Sequence, residues 1–332
     1  MEAIVFKDKM WPIEGASKAK RIAWTRPQNQ LSWAFLKMIR ETNKTRKVYD
    51  INPYTEVYQF RENIYGLFAQ NCDGLSDVWQ YLVVGPEKAM LIDTAYGLGD
   101  TEGLCREITG GKPLIVVNTH DGPDHCLGNI RYNHVYCYEE EVEAIRAKNV
   151  PGCFDYLFDE KGKNIWLQFD KKDLPQWKAY ELTGVPNHYI FNLGEDYDIE
   201  LIFTGGHSGG HAVFLDKKSR ILFAGDVVTS DGIICGQGPR PGFENSKNRN
   251  VETFREQLNA ICKRFGEFDY LYPGHGMVGL ENHVLLDILE ALDMVLKDPD
   301  CYDYTGDKGR CFKFVRNFST IIYTKEGVYR PQ

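Results

Sequence analysis

A layered α/β domain is what this sequence predicts, on three observations. The stretch "KPLIVVNTH" (112–120) holds a continuous apolar run of the kind found in strands buried on both faces. Short apolar runs like it are interspersed with amphipathic helical patterns along the chain. Four of the runs end in loops carrying His or Asp, and layered α/β folds gather such strand ends on one rim.

The 332 residues would fill two average domains, but α/β units of several layers often run past roughly 250 residues. One large domain with additions is therefore expected. With 43% hydrophobic and 26% charged residues, a sizeable core is available and the composition is far from that of disordered chains. A net charge of −8 lacks the basic footprint of a phosphate-backbone binder, so nucleic acid is not an expected partner. The cluster "KAKR" (18–21) reads as solvated surface. The start "MEAIVFKDKMWP" has charges where a secretory leader needs an apolar run, and no stretch approaches a membrane span. A cytoplasmic protein with no membrane partner is the expectation. Nine scattered cysteines without a C-x-x-C pair read as reduced thiols, and Cys126, inside the motif loop, as a small buried residue.

Residues 1–75 read as an N-terminal extension packed on the main domain or on a partner subunit. They hold Trp11, Trp24 and Trp33 and an amphipathic stretch, "LSWAFLKMIRE", with Leu31, Phe35 and Met38 at helical spacing. The main domain is placed at 76–298 and a C-terminal tail at 299–332. Within the main domain, "YLVVG" and "KAMLIDT" flank a turn-forming "GPE" as a hairpin. A helix runs from near Asp100 to Gly110, the buried strand follows, and "EEEVEAIRAK" (139–148) is a second helix. Residues 151–190 form a long insertion whose Phe154, Tyr156, Phe158, Trp166, Phe169 and Trp177 argue against disorder. This insertion is expected to cover the rim and select the substrate. Ile199, Leu201 and Phe203 then alternate as a strand, and "HAVFLDKKSRILFAGDVV" is a hairpin around "DKKS". Phe254, Leu258 and Ile261 share one face of a helix capped by Asn250; "FDYLYPGHG" is a short strand, and "HVLLDILEALDMVLK" the last helix.

The loops at the four strand ends carry His120, Asp121, Asp124 and His125 ("THDGPDH"), His207 ("GGHSGG"), Asp226 ("FAGD") and His275 ("PGHG"). Imidazole and carboxylate are ligand types for Zn²⁺, Fe²⁺ or Mn²⁺. Each element alone is an ordinary turn, whereas all four in this order would require independent coincidences. The first loop lacks the spacing and terminal glutamate of a calcium EF-hand. No G-x-S-x-G elbow or G-x-x-x-x-G-K-[ST] loop points to a serine hydrolase or a nucleotide triphosphatase.

In this order the motifs resemble those of the metallo-β-lactamase superfamily, whose pattern is a T-H-x-H-x-D-H loop, a distal His, a bridging Asp and a final His. "LIDTAYG", with Asp93, is similar to that family's "LIDTG" strand, and the resemblance spans about residues 76–282. It implies an αββα four-layer sandwich with a dinuclear metal site on one edge. One metal would be held by Asp124, His125 and His275 with Asp226 bridging, and the other by His120, His207, Asp226 and position 122. That position is Gly122, which offers no side chain. Asp121, His211 or a water are the candidates to replace the absent ligand.

The resemblance implies a metal-dependent hydrolase binding one or two Zn²⁺ ions, with Fe²⁺ or Mn²⁺ as alternatives. Metal-activated water would attack an ester, lactone, thioester or amide of a small, partly apolar or aromatic molecule. Asp124 is the catalytic candidate that orients the water, and His211 the second catalytic candidate. A non-hydrolytic lyase, decarboxylase or isomerase, or a silent binding module, are the rival readings; a homodimer is among the expected assemblies. Substituting histidine for Gly122 is expected to raise metal stoichiometry.

Overall fold

The structure, a computed structural model, describes residues 17–26, 29–316 and 318–331. Trp11 and the N-terminal stretch "MEAIVFKDKMWP" lie outside the described residues. Two sheets dominate. The larger has eight strands in the spatial order Glu181–Val185, His134–Tyr138, Leu114–Val117, Ala89–Ile92, Val78–Val84, Ile64–Ala69, Asn52–Arg61, Lys47–Tyr49. The 114–117 strand pairs in parallel with both neighbours, which buries it on both faces as its composition requires. The second sheet has six strands, ordered Ile190–Asn192, Asp198–Phe203, Ala212–Asp216, Ile221–Gly225, Tyr270–Pro273, Leu280–Glu281.

Side chains alternate between two cores because successive strand residues face opposite ways. Trp79, Tyr81, Val83, Met90 and Ile92 meet Ile199, Leu201, Phe214, Phe223 and Tyr272 between the sheets. Their neighbours Leu82 and Leu91 face out, under Leu104 of the Thr101–Thr109 helix and Ile145 of the Val142–Lys148 helix. On the other side Leu215, Leu222 and Leu271 pack under the helices Val251–Cys262 and Val284–Lys297. The result is the expected αββα order of layers.

Local signals set the helix ends. Asp100 accepts a hydrogen bond from the Gly103 amide at the start of its helix, and Gly110 closes it with φ 67°. Asn250 caps the 251–262 helix through the Thr253 amide. The expected stripe on the Gln30–Thr42 helix is displaced by one position: Ser32, Leu36 and Ile39 are buried, while Leu31 and Met38 stand half exposed. Ser32 takes the inward face because its hydroxyl meets Ser230 Oγ at 2.8 Å and also bonds Asp231.

Two expected boundaries need correction. Strands 47–49, 52–61 and 64–69 belong to the eight-stranded sheet, so residues 1–75 are not merely an extension packed on a domain that begins at 76. The segment 299–332 is likewise no free tail. Cys311–Val315 and Ser319–Tyr323 form a small sheet with Ile233–Ile234, and Ile321 and Tyr323 are fully buried against the outer core. The insertion packs on the N-terminal segment: Leu167–Gln168 pairs with Lys20–Arg21, and Leu157, Leu167 and Phe169 share a cluster with Tyr54 and Tyr96.

Candidate metal centre

Strand 114–117 ends at Asn118, and the chain then turns through His120 and Gly122 into a four-residue helix, Pro123–Cys126. Pro123 suits the first helical position, where no amide hydrogen is needed. This places His120 before the turn and Asp124 and His125 inside it. His207 sits in a turn opened by Gly205 and Gly206, both at positive φ, after strand 198–203. Asp226 follows strand 221–225, and His275 follows strand 270–273. The four loops thus meet on one edge of the sandwich.

Each ring is fixed by its Nδ1. His207 Nδ1 lies 2.8 Å from the Ile234 carbonyl and His275 Nδ1 2.9 Å from the Asp77 carbonyl. A carbonyl only accepts, so both Nδ1 atoms carry the proton and each Nε2 keeps its lone pair when the ring is neutral. His125 Nδ1 donates to Asp93 Oδ2 at 2.8 Å, and Asp93 also accepts from the Thr119 amide and hydroxyl. Asp93 holds φ 63°, a left-handed conformation rare outside glycine, in making these bonds. His120 Nδ1 is 3.0 Å from Thr119 Oγ1. Such outer partners orient metal-binding rings and set their tautomer.

All four Nε2 atoms converge on Asp226. His125 Nε2 is 3.2 Å from Oδ1, while His275, His207 and His120 lie 3.4, 3.7 and 3.9 Å from Oδ2. Asp124 Oδ2 is 3.3 Å from His275 Nε2 and accepts from Asn71 Nδ2 at 2.8 Å. Two groups of three have ligand atoms mutually within 4.8 Å: His120, His125 and Asp226, and Asp124, His125 and His275. Burial opposes a charge on His125, but Asp226, Asp93 and Asp124 outweigh it and push its pKa up to about 10. Burial likewise opposes a charge on His275, and Asp226 and Asp124 raise it well above the usual range. Burial, and then the neighbouring His125, push His120 well below.

The donor set fits a divalent cation. His120 Nε2 and Asp226 Oδ1 are buried without a hydrogen-bond partner, a costly state that a shared cation would relieve. Paired carboxylates and imidazole Nε2 atoms are the ligands such ions take. Gly122 shapes this cradle by having no side chain: a Cβ there would lie 2.6 Å from His120 Nε2 and 2.9 Å from His125 Cδ2. The room assumed for a histidine at 122 is already filled by the His120 ring.

Two of the expected site residues are engaged elsewhere. Asp121 was a candidate metal ligand, but its carboxylate is buried between Lys148 Nζ at 2.8 Å and Arg240 Nη1 at 2.6 Å, which occupy it. Burial opposes its charge, yet these two cations hold it well below the usual carboxylate range. His211, a catalytic and ligand candidate, is fully buried. Its Nε2 accepts the Asp226 amide proton at 3.1 Å, so Nδ1 carries the hydrogen and donates to Thr204 Oγ1 at 2.9 Å. With no free lone pair it props up Asp226 instead. Cys126 is fully buried, and burial pushes its thiol up, out of reactive range.

The centre opens into a cleft of about 300 Å³. Its lining includes the cations Arg26, Lys148, Arg240, Arg249 and Arg310; among the described residues that line it there is no aromatic side chain of the insertion. These cations come from separate, unpatterned stretches, so nothing in the sequence marked them. Glu141 was also missed. It is buried at the end of strand 134–138 and accepts from the amides of Asp121 at 2.8 Å and Gly210 at 2.6 Å, tying two motif loops together. Within "EEEVEAIRAK" it looks like any solvated helix-start carboxylate.

Known proteins similar to this chain point to one family. Human "Acyl-coenzyme A thioesterase MBLAC2" is 27% identical over 178 residues, which covers 48% of this chain and 60% of that protein. The chain therefore matches less than two thirds of that relative's length. "Probable metallo-hydrolase MJ0888" of Methanocaldococcus jannaschii is 24% identical over 206 residues, covering 60% of this chain and 87% of the relative. A metallo-beta-lactamase from Pontibacter korlensis shares the fold with a TM-score of 0.51 at 18% identity, over 72% of this chain and 99% of that structure. The model of the metallo-beta-lactamase superfamily matches residues 73–275, a span that takes in every loop of the centre, and the chain belongs to that superfamily.

Proposed function

We propose that this protein is a metal-dependent thioesterase acting on acyl thioesters of a phosphorylated carrier thiol such as coenzyme A. The observation that carries the reading is the convergence of four imidazole Nε2 atoms on one buried carboxylate at the base of a cation-lined cleft. The hydrolase class accords with the superfamily, and the thioester with the printed activity of the MBLAC2 relatives. The cationic lining favours an anionic carrier on the expected small, partly apolar molecule.

Asp124, His125 and His275 would hold one metal ion, and His120, His207 and Asp226 a second. A divalent ion held there, Zn²⁺ being the choice the donor set favours, would supply water ionised near neutral pH (pKa about 7 in place of about 15.7) and polarisation of an acyl oxygen. Asp124, held by Asn71, orients the attacking water through its carboxylate. Water adds to the acyl carbon, the C–S bond breaks, and the departing thiolate takes up a proton, leaving a carboxylic acid and a thiol. Asp93 and the Ile234 and Asp77 carbonyls keep three rings in the ligating tautomer throughout.

The test is release of free thiol from acyl-coenzyme A by the purified protein, before chelation, after it, and after Zn²⁺ is restored. Thiol release that disappears and returns with metal is expected. A metal-loaded protein that cleaves oxygen esters or lactams but no thioester would overturn the substrate reading. His275→Ala should lose metal and turnover together, since a ligand is rarely dispensable in a catalytic site; a fully metallated, active variant would refute that ligand assignment.

A further inference from the structure

We propose that Arg249, with Arg240 and Arg310, forms a subsite beside the metal centre that binds the phosphate groups of the substrate's carrier. Five cations from separate parts of the chain line the cleft: Arg26, Lys148, Arg240, Arg249 and Arg310. Apart from Asp124 and Asp226, which belong to the candidate metal centre, the carboxylates of the lining among the described residues are Asp121 and Asp231. Asp121 is shared by Lys148 and Arg240, and Asp231 accepts from Ser32. Among the described residues, no carboxylate lies within salt-bridge distance of Arg26, Arg249 or Arg310.

Arg249 is the informative member. Among the described residues, its guanidinium donates to backbone oxygens, His207 O and Gly238 O, both at 3.4 Å. Burial, and then the charge of neighbouring Arg240, disfavour its protonated form. The nearby carboxylates of Asp121 and Glu141 favour its charge but do not outweigh the burial and Arg240, and a partly buried cation held in this way is a costly arrangement that a bound anion would offset. Guanidinium forks match phosphate oxygens two at a time, and three of them around one cleft suit a group of high negative charge. The contact from Arg249 to His207 O fixes the distance scale: the anion would sit next to the ring that faces Asp226, so a carrier held there delivers its thioester to the centre.

The identity of the anion rests on the thioester reading, while its presence rests on the cations alone. Two measurements separate them. First, kcat/KM is compared for one acyl group carried by coenzyme A and by N-acetylcysteamine, which lacks phosphate. Arg249→Gln and Arg310→Gln should each reduce the coenzyme A to N-acetylcysteamine ratio at least about tenfold, mainly through KM, with Arg249→Lys recovering part of it. Second, adenosine 3′-phosphate 5′-diphosphate, the nucleotide half of coenzyme A without its thiol, is titrated by calorimetry into each protein. Its Kd should rise about tenfold in both glutamine variants, with metal per chain measured alongside. Arg310 stands on a different segment from the metal loops, so its variant keeps the test meaningful if Arg249→Gln disturbs His207. An unchanged ratio and an unchanged Kd would overturn the subsite while leaving thioester hydrolysis standing. Arginine-dependent nucleotide binding without cleavage of either thioester would uphold the subsite and sink the thioesterase reading.

Discussion

At the scale of single residues, the centre is organised as much by an absence as by its ligands. Gly122 leaves space that the His120 ring fills, and that ring is confined by contacts with His125 at 4.2 Å and His207 at 4.6 Å between ring centroids. Even a methyl group at 122 must displace the buried Nε2 of His120, whose ring Thr119 holds at Nδ1. Gly122→Ala is therefore expected to lower metal per chain, with loss in the half of the site that holds His120 and His207. This reverses the gain expected from a histidine at 122. Elemental analysis of wild type and variant, purified alike, reads it directly; unchanged metal content would show that His120 is not a ligand. Asp121 calls for the opposite outcome. Breaking a fully buried ion pair costs about 3–5 kcal/mol, and both partners here are roughly a third exposed, so Asp121→Asn should cost about 2–3 kcal/mol in urea unfolding. Metal per chain should hold; its loss would restore Asp121 as a ligand. The candidate ligands were legible in the sequence because each lies in the loop that follows a strand. Asp121 and His211 were misread because spacing cannot show which partners, Lys148 and Arg240 or Thr204 and the Asp226 amide, already occupy a side chain.

Elements were most legible where burial is simple. The 112–120 run and the 212–225 hairpin are apolar on both faces and fold as expected. The hairpin 52–69 was missed because its strands bury polar groups: Glu56 lies among Arg40, Arg46 and the Tyr58 hydroxyl, and Thr55 and Asn52 are also buried. Such compensated polar burial blurs the two-residue alternation that marks a strand. The insertion misled in the other direction. Its aromatics suggested a substrate wall, but Phe158 and Phe169 pack edge to face at 5.9 Å, and the Trp166 carbonyl accepts from the Ile22 amide. It braces the N-terminal segment. Leu157→Ala, at the centre of that cluster, should cost about 2–5 kcal/mol by the usual penalty for emptying a core site. The urea midpoint should fall while kcat/KM of the folded, metal-loaded enzyme stays close to wild type. A changed preference among acyl chains with unchanged stability would return the insertion to the role of a lid.

For the molecule as a whole, the metal centre depends on segments far outside the motif span. His275 is oriented by the carbonyl of Asp77, whose carboxylate is paired with Arg21 at 2.6 Å and accepts the Asn71 amide; Asn71 in turn steadies Asp124. Trp79, fully buried between the sheets, packs on Phe68 at 4.7 Å and Tyr58 at 5.4 Å, both upstream of residue 76. On the opposite face the 284–297 helix buries Leu285, Ile288 and Leu292 in a core completed by Val315, Ile321 and Tyr323. A chain cut to residues 76–298 would keep every candidate ligand yet lose three strands of the main sheet and one side of the outer core. Exposed sheet edges and apolar faces of that size favour association over folding. That truncated chain should therefore show no cooperative melting transition in calorimetry, even with Zn²⁺ present, while the full chain melts cooperatively. A sharp transition with retained metal would mean that the flanking segments are additions after all, and that the orientation of His275 and Asp124 does not depend on Arg21 and Asn71.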